Sequence, residues 1–194
     1  MRKRYPATEV VSPKQGSGNH NHSRIAAGIL AVSLLLTGCS KSEGDKAAFE
    51  RLSPNGLADS QKLWNYSQVI AIAPGARLIE IAGTTGDDSN GNIVTPSDMT
   101  GQVNRAFENL EASLKAAGTS GKDVVRVRMY VVGLDGETHW PIINSAMRRH
   151  FGERGPTSTL VGIQTLAAPD ILFEIDASAV TAKEQRLPNP GFRP

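Results

Sequence analysis

The chain of 194 residues contains one cysteine, Cys39. A domain folded from the rest can hold neither an internal disulfide nor a multi-cysteine metal centre, and it has no thiol nucleophile. Histidine is nearly as scarce. Two of the four, His20 and His22, fall in the N-terminal segment; His139 and His150 alone support a zinc site poorly. No G-x-S-x-G turn occurs, so a Ser-His-Asp set drawn from Ser158, His139 or His150, and Asp170 or Asp176 lacks a nucleophile elbow. The net charge of +2 misleads. Residues 1–38 carry Arg2, Lys3, Arg4, Lys14 and Arg24 against Glu9, which leaves 16 basic and 18 acidic residues in the remainder. With no lysine/arginine run after the first few positions, no nucleic-acid surface is implied.

A long apolar run is also missing. IAAGILAVSLLL, residues 25–36, is 12 residues long. As a helix it would span about 18 Å against a hydrocarbon core of about 30 Å, too short to cross a membrane. Positive residues precede it and Leu36-Thr-Gly-Cys39 follows, the order of a secretory leader. That tetrapeptide resembles the bacterial lipobox, whose cysteine is lipidated on sulfur and becomes the new N-terminus. Residues 1–38 are thus expected to be a lipoprotein signal peptide, with Cys39 the lipid attachment point and the cell envelope the location. Two or three acyl chains would hold the protein at the membrane stably. Ser40 follows Cys39 where aspartate favours inner-membrane retention in many Gram-negative bacteria, which by analogy suggests the periplasmic face of the outer membrane. Residues 39–56 read as a polar tether broken by Pro54 and Gly56, and the proline-rich 183–194 as a tail without apolar period.

Between them lies one small domain, 57–182. Strands are expected at 66–73 and 77–82, joined as a hairpin through Pro74-Gly75. Asp/Asn/Gly-rich 83–95 reads as ordinary turns, since the spacing and terminal glutamate of a calcium loop are missing. Met99, Val103, Ala106, Phe107, Leu110, Leu114 and Ala117 recur at helical spacing, with Ser97 as cap and Gly118 as left-handed stop. A strand follows at 124–132, then a second helix near 140–151 with Pro141 in its first turn. A closing pair of strands joined by a short turn is expected between Ser158 and Val180. In the last, Phe173, Ile175, Ala177 and Ala179 alternate with Glu174, Asp176, Ser178 and Val180. Carboxylates on a largely buried sheet either meet donors from a neighbouring surface or line a cavity open to a ligand. The order ββαβαββ predicts an α+β domain with both helices on one face of a mixed sheet. Apolar residues on the other face predict association through it.

Several segments carry a family resemblance together: Asn65-Tyr-Ser-Gln-Val69, Leu78-Ile-Glu-Ile-Ala-Gly83, Arg105-Ala-Phe-Glu-Asn-Leu110, Ala116-Ala-Gly118, Asp123-Val-Val-Arg-Val127, Pro156-Thr-Ser-Thr-Leu-Val-Gly-Ile163 and Phe173-Glu-Ile-Asp-Ala177. In that order they resemble the RidA/YjgF superfamily, the reactive-intermediate deaminases. The resemblance implies a chorismate-mutase-like homotrimer with ligand clefts between subunits, hydrolysing small imines or enamines without cofactor or metal. It sets Glu174 at the water-orienting glutamate, Tyr66 at the first-strand tyrosine, and Gly83, Ser158 and Thr159 along the substrate. Tyr66 read as a residue is first a packing aromatic.

Ser158 departs from the pattern. Deaminating members carry there an arginine that clamps the substrate carboxylate, and one serine hydroxyl cannot replace a guanidinium fork. Ala82, Thr84 and Leu160 also differ from those members. Among other cations, Arg77, Arg126, Arg128 and Arg154, nothing in the sequence places one at that position, and a surface role is their default. The chain thus reads as a divergent, membrane-anchored member with a small-molecule cleft. The competing readings are a non-catalytic binding or sensing module, or an envelope interaction protein, on the same trimer.

Overall fold

The computed structural model describes residues 47–182. The expected signal peptide (1–38), the expected lipidation site Cys39, residues 40–46 of the expected tether and the expected tail (183–194) lie outside the described residues. The elements are β1 (Phe49–Leu52), α1 (Ser60–Trp64), β2 (Val69–Ile72), β3 (Arg77–Thr84), α2 (Met99–Ala116), β4 (Val124–Val132), α3 (His139–Phe151), β5 (Thr157–Ile163) and β6 (Phe173–Thr181). The α+β architecture expected from the sequence is the one observed.

The main sheet has the order β3-β6-β4-β5. Strand β6 runs antiparallel to both β3 and β4, whereas β4 and β5 are parallel and joined through α3, as a parallel pair requires a crossover. Alternation explains why β4 sits inside: Val127, Met129 and Val131 are each fully buried on one face, as are Phe173, Ile175 and Ala179 of β6. Helix α2 covers them with Val103, Ala106, Phe107, Leu110 and Leu114, and α3 adds Ile143, Ala146, Met147 and Phe151. Each large apolar side chain so buried contributes about 1.5–3 kcal/mol relative to exposure. Phe107 is the hub, its ring 6.1 Å from Phe173 and 5.8 Å from Phe151.

Helix α2 stops as its sequence demands. Gly118 takes φ +72°, its N–H donates to Lys115 O, and Thr119 N–H donates to Leu114 O, the paired bonds of a Schellman stop. Its start differs from expectation. Asp98 is the N-cap residue without a side-chain cap bond, and Ser97 instead adopts φ +64°, a left-handed position before the first turn.

Three further expectations are corrected. Strands β2 and β3 do not pair as a hairpin: β2 pairs with β1, Phe49 opposite Ile72 and Leu52 opposite Val69, while β3 pairs with β6. Residues 49–52, assigned to the tether, are therefore a strand, and they satisfy the β2 edge that β3 was expected to satisfy. A short helix, α1, also precedes β2, and this segment is pinned to residues 152–156. Asn65 Nδ2 donates to Gly152 O, Ser67 Oγ to Gly155 O at 2.7 Å, and Ser67 N–H to Pro156 O. Finally, β5 and β6 are not neighbours, because β4 lies between them.

Candidate functional site

Cross-strand register sorts the candidate residues by face. Glu174 is opposite Tyr130, which is opposite Val161. Asp176 is opposite Arg128, itself opposite Thr159; Ser178 is opposite Arg126, itself opposite Thr157. These three rows lie on the face away from the helices. Ser158 does not, since its partners Val127 and Ala177 belong to the core.

Glu174 is brought to Gly83. The β3–β6 register slips between Ile81 and Thr84, so one strand bulges where Ala82 and Gly83 pass β6. A Cβ placed on Gly83 would lie 2.7 Å from the Glu174 carboxyl carbon and closer still to Oε1. Only glycine lets the carboxylate rest against the backbone there. Thr84 anchors the bulge, its hydroxyl bonding the carbonyls of Ile175 at 3.1 Å and Ala106 at 3.3 Å.

Gly83 also borders a hollow of about 410 Å³ between β3, the following loop and α2, with Thr85, Asp88, Arg105 and Asn109 on its walls. Asn109 Nδ2 donates to the carbonyls of Thr85 and Asp87, and Arg105 Nε donates to Asp87 O, so the loop is tied to the helix. Asp88 accepts the backbone N–H groups of Asn90 and Asn92, and these bonds hold its carboxyl below the usual aspartate range. The turn chemistry expected for this loop accounts for both acids.

One residue escaped sequence reading. Gln102 is fully buried, donating to Asp170 O at 2.7 Å and accepting from Leu172 N–H at 2.8 Å. It fixes the strand entry that carries Glu174. A glutamine at a core position of the α2 period was the available signal.

The remaining candidates gather elsewhere. Tyr66 stacks on Trp64 with centroids 6.2 Å apart, and its neighbour Ser67 is bonded to Gly155 and Pro156, just before β5. Ser158 lies at that same end of β5, whereas the Glu174 row crosses β5 at Val161. The two groups are thus set apart by about three residues along the sheet, ~10 Å, and by two strand spacings of ~4.8 Å. Within one chain the structure brings Glu174 to Gly83, but not to Ser158 or Tyr66.

A guanidinium does stand near Glu174, one row away. Arg128 Nε donates to Asp176 Oδ1 at 2.8 Å and Oδ2 at 3.1 Å. The Asp176 bond and charge raise the Arg128 pKa further. Arg128 is therefore committed to a carboxylate already.

Residues 59–181 match the family described as Endoribonuclease L-PSP, the RidA/YjgF group. The chain belongs to this family. A RutC family protein of Pyrococcus abyssi is 32% identical over 59% of this chain and 84% of its own length. A protein of Dermatophagoides farinae named 2-iminobutanoate/2-iminopropanoate deaminase is 24% identical over 55% and 78%. Among solved structures, a Yersinia pestis protein of unknown function, YyfB of the conserved Rid family, superposes with a TM-score of 0.65 at 27% identity, over 70% of this chain and all of the other. The RidA-like domain therefore includes the β3–β6 bulge and the three strands, β4, β5 and β6, that carry the rows described above.

Proposed function

We propose that this RidA-family protein hydrolyses a small imine or enamine to a carbonyl compound and ammonia, in a cleft completed by a neighbouring copy within a homotrimer. The observation that carries the reading is the Glu174 carboxylate seated against Gly83 at the two motif positions. The deaminase name of the Dermatophagoides farinae relative supports the reaction class. The separation of Glu174 and Gly83 from Tyr66, Ser158 and Thr159 within one chain supports a cleft that needs a second copy.

In this reaction Glu174 takes a proton from water as the water oxygen bonds to the imine carbon. Glu174 gives that proton to the imine nitrogen, the hydroxyl of the resulting carbinolamine then passes its own proton to the amine through the same carboxylate, the C–N bond breaks, and ammonia leaves with the carbonyl product. The residues need no metal or cofactor for these steps. Lipid on Cys39 would place the trimer at the cell envelope, on the periplasmic face of the outer membrane if the host is Gram-negative.

A second reading, a binding or sensing module without turnover, draws support from Asp176. It occupies the one guanidinium in the row beside Glu174. Ammonia release from 2-iminopropanoate generated in situ separates the two: turnover lost in Glu174→Gln supports the enzyme, and its absence in the wild-type chain with retained ligand binding supports the module. A monomer in sedimentation overturns the shared cleft. Membrane fractionation of Cys39→Ser tests the anchor, which is wrong if the variant still partitions with membranes.

A further inference from the structure

We infer that Tyr130 is the second residue of a water site, its hydroxyl and the Glu174 carboxylate holding the attacking water between them. The inference rests on the reading of Glu174 as the base of an imine hydrolase and adds a residue to it. Register makes the two neighbours. Tyr130 of β4 is the direct antiparallel partner of Glu174 of β6, in the row on the sheet face away from the helices. Such partners keep their Cβ atoms about 4.5–5.5 Å apart, with both side chains standing out from one face. Glu174 leans toward β3, its carboxylate against Gly83, whereas Tyr130 rises from the strand on the other side. A water that donates to the carboxylate there has the phenol as its neighbour.

The other polar side chains adjoining Glu174 are already engaged. Thr84 bonds the carbonyls of Ile175 and Ala106. Asp176 and Arg128, one row along, hold each other. The far end of the Glu174 row is Val161, apolar and 39% exposed. The Tyr130 hydroxyl alone has no hydrogen-bond partner among the described residues. It stands within electrostatic reach of Arg128, whose pKa is raised by Asp176 first and by Tyr130 after it.

The chemistry calls for such a partner. A water held by one carboxylate alone turns about that bond, and most of its orientations aim no lone pair at the imine carbon. A second acceptor removes this freedom. One water hydrogen goes to Glu174 and the other to Tyr130 Oη, so the lone pairs of the water face the substrate. The proton balance of the step is unchanged, because Glu174 alone takes and returns the proton. Tyr130 orients the reacting water and moves no proton itself.

The test sets Tyr130→Phe, which removes the oxygen and keeps the ring, against the wild-type full-length protein with 2-iminopropanoate generated in situ. We expect kcat to fall about 10- to 100-fold, the scale of a misoriented reactant, with KM within about twofold. The unfolding temperature should not move, since the hydroxyl has no partner to lose. A crystal structure with pyruvate, the carbonyl product, gives a readout that needs no turnover. One water within about 3.2 Å of both Tyr130 Oη and the Glu174 carboxylate is expected there, absent or displaced in Tyr130→Phe. A wild-type chain that shows this water but turns over no imine retires the deaminase reading and leaves the water site standing. Unchanged kcat in Tyr130→Phe while Glu174→Gln is inactive, a loss carried by KM alone, a water bonded to Glu174 only, or a neighbouring subunit's side chain in its place would each overturn the inference.

Discussion

Asp176 holds Arg128 through both carboxylate oxygens, two residues along β6 from Glu174 and on the same face. The pair keeps a cation close to the proposed chemistry but unavailable to a substrate carboxylate. Asp176→Asn should release it. We expect the KM for 2-iminopropanoate to fall severalfold with little change in kcat, because only ground-state capture is added. Stability should change little, as Arg128 is half exposed and surface pairs are weak.

Gly83 and Glu174 compete for the same space. Gly83→Ala should cost about 1–3 kcal/mol through overpacking and should displace the carboxylate, abolishing turnover. Adding Glu174→Ala removes the obstacle. The double variant should regain most of the lost stability in thermal unfolding while remaining inactive, a coupling that independent sites would not show.

Gln102 should matter far more than its place on a helix suggests. Gln102→Ala leaves Leu172 N–H and Asp170 C=O without partners, at a cost of about 1–3 kcal/mol. Hydrogen exchange at Leu172 should accelerate in the variant, ahead of the amides at the centre of β6.

Asp88 provides a pH signature. Its folded pKa is depressed by the Asn92 and Asn90 N–H bonds, so the loop contribution is fully present above the ordinary aspartate value. It declines below that value and is gone once pH falls through the folded pKa. The Asp88 carboxyl carbon should titrate at lower pH than an unstructured aspartate, and the Asn90 and Asn92 amide shifts should move with it. Equal midpoints would contradict the turn geometry.

By itself, the sequence determined the elements whose signals are local. The three-and-four spacing from Val103 to Leu114, the stop at Gly118 and the alternation from Phe173 to Ala179 each follow from side-chain periodicity within one segment. The motif set also determined the family, and it marked Glu174 and Gly83 before any contact between them was visible. Tertiary structure alone decided which strands meet. Nothing in 69–72 and 77–84 says that β1 and β6, not each other, complete their hydrogen bonds, because backbone groups are alike and any edge can satisfy them. The same holds for Arg126 and Arg128, which read alike as alternating arginines on one strand. Only the register opposite Asp176 or Ser178 separates the neutralised cation from the one with no carboxylate opposite it.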